Sequence, residues 1–127
     1  MMVKSYEDLM VWQEAVRLVK QVYQATAPFP AEERYGLTSQ MRRAAVSVPS
    51  NIAEGQARET RGEFIHFLGQ ARGSLAELDT QAILSLQMGF LPEHSANELR
   101  KRIVRVGKLL NGLRRSLTLR HQPPANH

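Results

Sequence analysis

Residues 37–78, LTSQMRRAAVSVPSNIAEGQARETRGEFIHFLGQARGSLAEL, decide the fold. Met41, Ala44 or Ala45, Val48 and Ile52 recur at helical spacing. After Thr60 the same period returns at Phe64, Leu68, Ala71, Leu75 and Leu78. Between the two runs, Gly55 is a candidate terminator, and Thr60-Arg61-Gly62-Glu63 has the form of a capping box that opens a new helix. Pro49 lies inside the first run. An interior proline removes a hydrogen bond and crowds the carbonyl four residues earlier, at about 3 kcal/mol. Because the apolar period resumes in phase at Ile52, a kink is expected there and not an end. The stretch holds no nucleophile–base pair and no metal-ligand spacing, so it reads as two packed helices and names no substrate.

Working outward, the second of these helices continues through Ala82 and Leu86 to Gly89, which suits the left-handed position that closes a helix. Pro92 or Ser95 opens the next, where Leu99, Ile103, Val106, Leu110, Leu113 and Leu117 alternate by four and three, the most regular heptad in the chain. Toward the N-terminus, Ser5-Tyr6-Glu7-Asp8 also fits a capping box. Leu9, Trp12, Val16, Val19 and Tyr23 then mark one face of a helix to about Thr26, ended by Pro28 and Pro30. A single helical turn over 32–35 is expected in the connection that follows. Four helices with short connections predict an all-α, antiparallel up-down-up-down four-helix bundle over residues 1–120, with Trp12 in its core. The polar, proline-rich residues 121–127 are expected to be a disordered tail.

Composition narrows the class. A chain of 127 residues is one domain, able to bury about 65–70% of its unfolded surface. With no cysteine, neither disulfides nor thiolate metal sites hold it. The N-terminal residues are amphipathic and carry acids, unlike a signal peptide, and no run reaches the roughly 18 apolar residues of a membrane span, so a cytoplasmic protein is expected. Glu63 and His66 have the Glu-x-x-His spacing of di-iron bundles, but the second copy is missing: Leu91, Thr118 and Pro124 precede the other histidines by three. The serines lack a histidine partner, and Glu77 and Asp79 face different sides of a helix. No enzyme and no cofactor are expected. Gly69 and Gly73 form a G-x-x-x-G read as letting a neighbouring helix approach. Asn51, Glu54, Arg72 and Glu77 lie near the apolar stripes, where they either pair in a polar network or remain solvated.

Charge is unevenly distributed. The net charge is +5, yet residues 98–127 carry eight Lys/Arg against one acid, while the remainder has nine basic and eleven acidic residues. Such a face is either a solvated flank of the heptad or a site for an anionic partner. Arg100, Lys101, Arg105, Lys108, Arg114 and Arg115 are the candidate nucleic-acid contacts, for RNA or DNA. Residues 98–120 contain no aromatic for base stacking, so binding would be directed at the backbone and indifferent to sequence. A protein-interaction scaffold without a nucleic-acid ligand is the alternative. Apolar residues beyond one stripe per helix, namely Val11, Ala15, Val22, Phe67 and Ile83, predict self-association.

The blocks YEDLMVWQEAVRLV, FPAEERYGLTSQMRRAAVSVPSNIAEGQAR and FIHFLGQARGSLAELDTQ resemble the four-helix bundle family named for 23S rRNA intervening-sequence proteins, over about residues 5–91. The last helix matches only in pattern. The resemblance implies a small helical cytosolic protein, some of whose relatives are encoded within insertions in ribosomal RNA genes. The architecture is also similar to the accessory protein of diversity-generating retroelements, a basic pentameric bundle that works with a reverse transcriptase and nucleic acid. That likeness implies a homo-oligomer, a ring-shaped pentamer.

Overall fold

A computed structural model describes residues 5–121, without the side chains of Asp8, Arg120 and His121. Four helices make up the fold: α1 (Met10–Thr26), α2 (Leu37–Gln56), α3 (Arg61–Gln87) and α4 (Glu93–His121). Each packs on the next in sequence and α1 closes against α4, whereas the diagonal pairs do not meet. This is the ring of contacts of an up-down-up-down bundle. α4 takes in the first residue of the expected tail, and residues 122–127 lie outside the described residues.

The helix ends follow local chemistry. At the start of α3 the Thr60 hydroxyl accepts from the Glu63 N–H at 3.1 Å and donates to the Glu63 carboxylate at 3.0 Å, so one orphan N–H is satisfied. At its end Gly89 has φ +79, and two bonds close a Schellman turn: Gly89 N–H to Leu86 C=O and Phe90 N–H to Ser85 C=O. α2 runs unbroken through Pro49. The connection before α2 holds a single 3-10 turn at Ala31–Glu33. Ser5 caps a 3-10 turn (Tyr6–Asp8) by accepting from the Glu7 N–H at 3.2 Å. Extended Leu9 then separates that turn from α1, which begins at Met10, four residues later than the capping box predicts.

Three of the four predicted stripes face the core. Met41, Ala44, Ala45, Val48 and Ile52 of α2 are buried with Leu68, Ala71, Leu75, Leu78 and Ala82 of α3 and Leu99, Ile103, Val106, Leu110 and Leu117 of α4. α1 departs from expectation. Its core face is Val11, Ala15, Leu18 and Val22, while Trp12, Val16 and Val19 are only half-buried and Tyr23 is exposed. The two stripes lie about 100° apart on the helix. The aliphatic one carries no polar atom and is narrow enough for close packing, whereas Trp12 and Tyr23 each bring a polar group that full burial would have to satisfy. Trp12 therefore packs edge-on against Tyr6, with ring centroids 5.3 Å apart, at the margin of the core. Val11, Ala15 and Val22, expected as surplus surface, are the core itself. The open apolar face is instead Tyr6, Trp12, Val16 and Val19 beside Val46, Pro49 and Ala53 of α2, around a cleft of about 410 Å³.

Close helix approach occurs at Gly55, not at the G-x-x-x-G. A Cβ on Gly55 would stand 2.8 Å from the Phe67 Cβ and 3.0 Å from Phe64 Cδ1, whereas Gly73 has nothing within 4 Å and Gly69 only the Arg114 guanidinium at 3.9 Å. Gly55 thus lets α2 and α3 meet near their connection.

Candidate nucleic-acid interface

Side chains on a helix turn about 100° per residue, and this separates the six candidate cations of α4. Its core face runs through Leu99, Ile103, Val106, Leu110 and Leu117. Opposite it, Lys101, Arg105, Lys108 and Arg115 follow at i, i+4, i+7 and i+14 and form one exposed stripe. Exposed Val104 sits beside this stripe, and with Met10 and Leu109 it lines a shallow cleft against Lys101, Arg105 and Lys108. Arg100 and Arg114 leave the stripe and turn toward α3.

Acids from other helices engage several of these cations. Arg100 forms a two-pronged pair with Asp79 of α3, at 2.8 and 3.3 Å, which raises the arginine's already high pKa. Glu14 of α1 is buried, and its carboxylate accepts from Arg17, from Arg105 at 2.6 Å and from Arg102 at 3.5 Å; Arg102 also donates to Gln21 at 2.7 Å. The hydrogen bond from Arg17 is the largest influence holding the Glu14 carboxyl below its ordinary value. Burial opposes it, and Arg105 and Arg102 reinforce it. Buried alone, this carboxylate would be costly; three guanidinium groups satisfy it. Lys101 reaches Glu98 at 3.4 Å, an exposed contact of little energetic weight. Lys108 and Arg115 are exposed and have no partner among the described residues. Arg114 is half-buried, its Nε enclosed without an acceptor among the described residues.

The polar residues expected near the stripes of α2 and α3 do not assemble as one network. Asn51 donates to the Ser47 carbonyl at 2.8 Å and to its hydroxyl at 2.9 Å, and the Ser47 and Ser74 hydroxyls share a 2.7 Å bond across the two helices. Glu54 pairs instead with Arg58 on the surface at 2.9 Å, and Arg72 and Glu77 are exposed. Among the described residues no group of three His, Asp or Glu side chains could hold a metal ion, and no helix is long and apolar enough to cross a membrane.

A second basic region escaped the sequence reading. Arg34, Arg42 and Arg43 line a cleft of about 600 Å³ with Tyr23, Thr38, Ser39, Val46 and Ser47, between the end of α1 and the start of α2. No carboxylate among the described residues lines it. The available signal was Arg42-Arg43 in a helix with few acids; the surplus in residues 98–127 overshadowed it.

Among curated proteins, none matches the sequence. A crystal structure of a protein with unknown function from the S23 ribosomal protein family of Bacteroides thetaiotaomicron is similar in fold. Its TM-score is 0.74 at 17% identity, over 82% of this chain and 97% of that one. At that identity the likeness bears on the fold alone. The family model for 23S rRNA-intervening sequence proteins matches residues 7–112, from the turn before α1 to well within α4, and the chain belongs to that family.

Proposed function

We propose that the protein is a non-catalytic, self-associating helical bundle that holds RNA or DNA by the phosphate backbone along the outer face of α4. One observation carries this reading: Lys101, Arg105, Lys108 and Arg115 line up on the side of α4 opposite the core, and Lys108 and Arg115 have no internal partner among the described residues. A straight row of cations suits a phosphate chain, and the absence of an aromatic among residues 98–120 suits binding without sequence preference. Arg100 and Arg114 become peripheral, because Asp79 holds one and α3 half-encloses the other. Self-association fits the apolar face of Trp12, Val16, Val19 and Pro49, with a pentameric ring as the expected form. Repetition around a ring would multiply the α4 row and raise avidity. Cytoplasmic residence accompanies this reading.

The test is charge reversal. Lys101→Glu, Lys108→Glu and Arg115→Glu together leave every buried contact in place and should abolish binding to a labelled RNA or DNA duplex, with helicity unchanged. Arg105 is best left intact, since a glutamate there would confront Glu14. Binding by the triple variant equal to wild type removes α4 as the site. The ion pairs of Arg100, Arg102 and Arg105 favour a second reading, in which the basic residues chiefly fasten α4 to its neighbours and the protein is an interaction scaffold. Purified protein with a 260/280 nm absorbance ratio typical of pure protein, and no duplex binding at low salt, would select it.

A further inference from the structure

The positive charge of α4 is partly cancelled by Glu14, Asp79 and Glu98. The cleft between α1 and α2 is different. Arg34, Arg42 and Arg43 line it with the hydroxyl residues Tyr23, Thr38, Ser39 and Ser47, and no acid among the described residues does. Along α2, Thr38, Ser39, Arg42, Arg43 and Val46 fall at i, i+1, i+4, i+5 and i+8, so helical geometry puts them on one side. Arg34 comes from the connection before the helix and faces them across the cleft.

Arg42 is held in place before any ligand arrives. Its Nε donates to the Thr26 hydroxyl at 2.9 Å, one Nη donates to the Tyr23 carbonyl at 3.4 Å, and the guanidinium lies 4.5 Å from the centre of the Tyr23 ring. Thr26 is itself buried and fixed by donating to the Val22 carbonyl at 2.8 Å. A guanidinium has five N–H donors, so Arg42 keeps donors beyond these two for an acceptor in the cleft. Arg34 and Arg43 are exposed and, like the hydroxyls of Thr38 and Ser39, have no partner among the described residues. The helix end is not what makes the site. Glu33 already accepts from the Leu37 N–H at 3.0 Å, and its carboxylate serves the backbone without lining the cleft.

We infer that this cleft is a phosphate-binding site, built by Arg42 as a fixed fork, Arg34 and Arg43 as closing cations, and Thr38 and Ser39 as hydroxyl donors. Planar guanidinium groups match the oxygens of a phosphate in pairs, and hydroxyls complete the tetrahedral set. Several charges in one cleft favour a dianionic or polyphosphate group over a single carboxylate. The phosphate is carried either by a free nucleoside polyphosphate or by a nucleic-acid strand. The site stands apart from α4 and does not depend on the reading given for it.

Isothermal titration of the full chain with inorganic pyrophosphate at low ionic strength tests the site. Wild type should bind one pyrophosphate per chain. Arg34→Gln with Arg43→Gln should weaken binding on the order of a hundredfold, about tenfold for each lost charged hydrogen bond. Both side chains are exposed, so circular dichroism should show native helicity. Lys108→Glu with Arg115→Glu should bind pyrophosphate as wild type does. Displacement of bound pyrophosphate by a short single-stranded RNA identifies a strand as the source of the phosphate. Displacement by a nucleoside triphosphate but not by RNA identifies the free compound. No heat with wild type, or equal affinity in the Arg34/Arg43 variant, overturns the site. The α4 variant's behaviour toward duplex bears only on the α4 proposal, so the two fail separately.

Discussion

α1 and α4 pack side by side, and they differ in what lies beyond the stripe each buries. Both bury one aliphatic stripe, Val11, Ala15, Leu18 and Val22 on α1 and Leu99, Ile103, Val106, Leu110 and Leu117 on α4. Away from the core, α4 presents Lys101, Arg105, Lys108 and Arg115, whereas α1 carries a second, half-buried apolar stripe, Trp12, Val16 and Val19, on the flank beside α2. The helices are joined at one buried acid, Glu14, which draws Arg102 and Arg105 across the groove. A second apolar stripe is costly for a helix that remains exposed, and cations without an acidic partner, as at Lys108 and Arg115 among the described residues, add nothing to packing. In the function proposed above, α1 serves contact with protein and α4 contact with an anion.

The sharpest way to break the comparison is to exchange the weight of the two faces of α1. Leu18→Ala empties a fully buried position and should lower stability by about 2–5 kcal/mol. Trp12→Ala, were the ring fully enclosed, would cost about 3–5 kcal/mol; half-buried, it should cost roughly half as much. Its main effect should fall on association, read by light scattering. Chemical denaturation that ranks Trp12→Ala above Leu18→Ala would restore Trp12 to the core. A wild-type mass of 14.4 kDa at micromolar concentration would instead remove the protein-contact role of the α1 face.

Much of the fold was legible because α2 and α4 each carry one apolar stripe, and on α3 the run Phe64, Leu68, Ala71, Leu75, Leu78 and Ala82 outweighs the extra Phe67 and Ile83, so period decides which face is buried. α1 carries two, and period cannot choose between Leu9-Trp12-Val16 and Val11-Ala15-Leu18. The choice rests on what each face must do with its polar atoms. The contact at Gly55 was hidden for a similar reason: a terminating glycine and one that admits Phe67 look alike until the register of α2 on α3 is known. The ion pairs were the least legible. Arg105 and Glu14 are 91 residues apart, and no local spacing rule joins them. Eight cations in residues 98–127 therefore read as a uniform patch, although acids from α1 and α3 divide it.

Gly55→Ala sharpens the role of close approach between α2 and α3. The new methyl would meet Phe67 Cβ at 2.8 Å, so overpacking of about 1–3 kcal/mol is expected. Gly73→Ala, with open space around it, should be neutral or slightly stabilising, since alanine favours the helix. Equal thermal shifts for the two variants would contradict this placement of the contact.

Glu14 supplies a smaller, pH-dependent effect. Its pKa is lowered in the folded chain, so the folded state holds the charged form more favourably than the unfolded state does. The corresponding stability is present above the ordinary carboxyl value of 4.5 and is lost as pH falls through the lowered native value. Glu14→Gln should reduce the acid-side loss of stability measured between neutral pH and that range. A stability–pH curve unchanged by Glu14→Gln would mean that the link between α1 and α4 carries no net charge coupling.

The most direct test of the central claim is the salt dependence of duplex binding by wild-type protein. Contacts from all six candidate cations would give a loss of about 10³-fold between roughly 50 and 200 mM salt. With Arg100 held by Asp79 and Arg114 half-enclosed, four remain on the outer stripe of α4. Four phosphates predict a slope near −3.6 in log affinity against log salt, or a loss on the order of 10²-fold across that range. Fluorescence anisotropy that yields this slope, equal for duplexes of unrelated sequence, fits the outer face of α4 as a backbone-directed site. Affinity that is flat with salt, or no binding at the lower salt concentration, would contradict it.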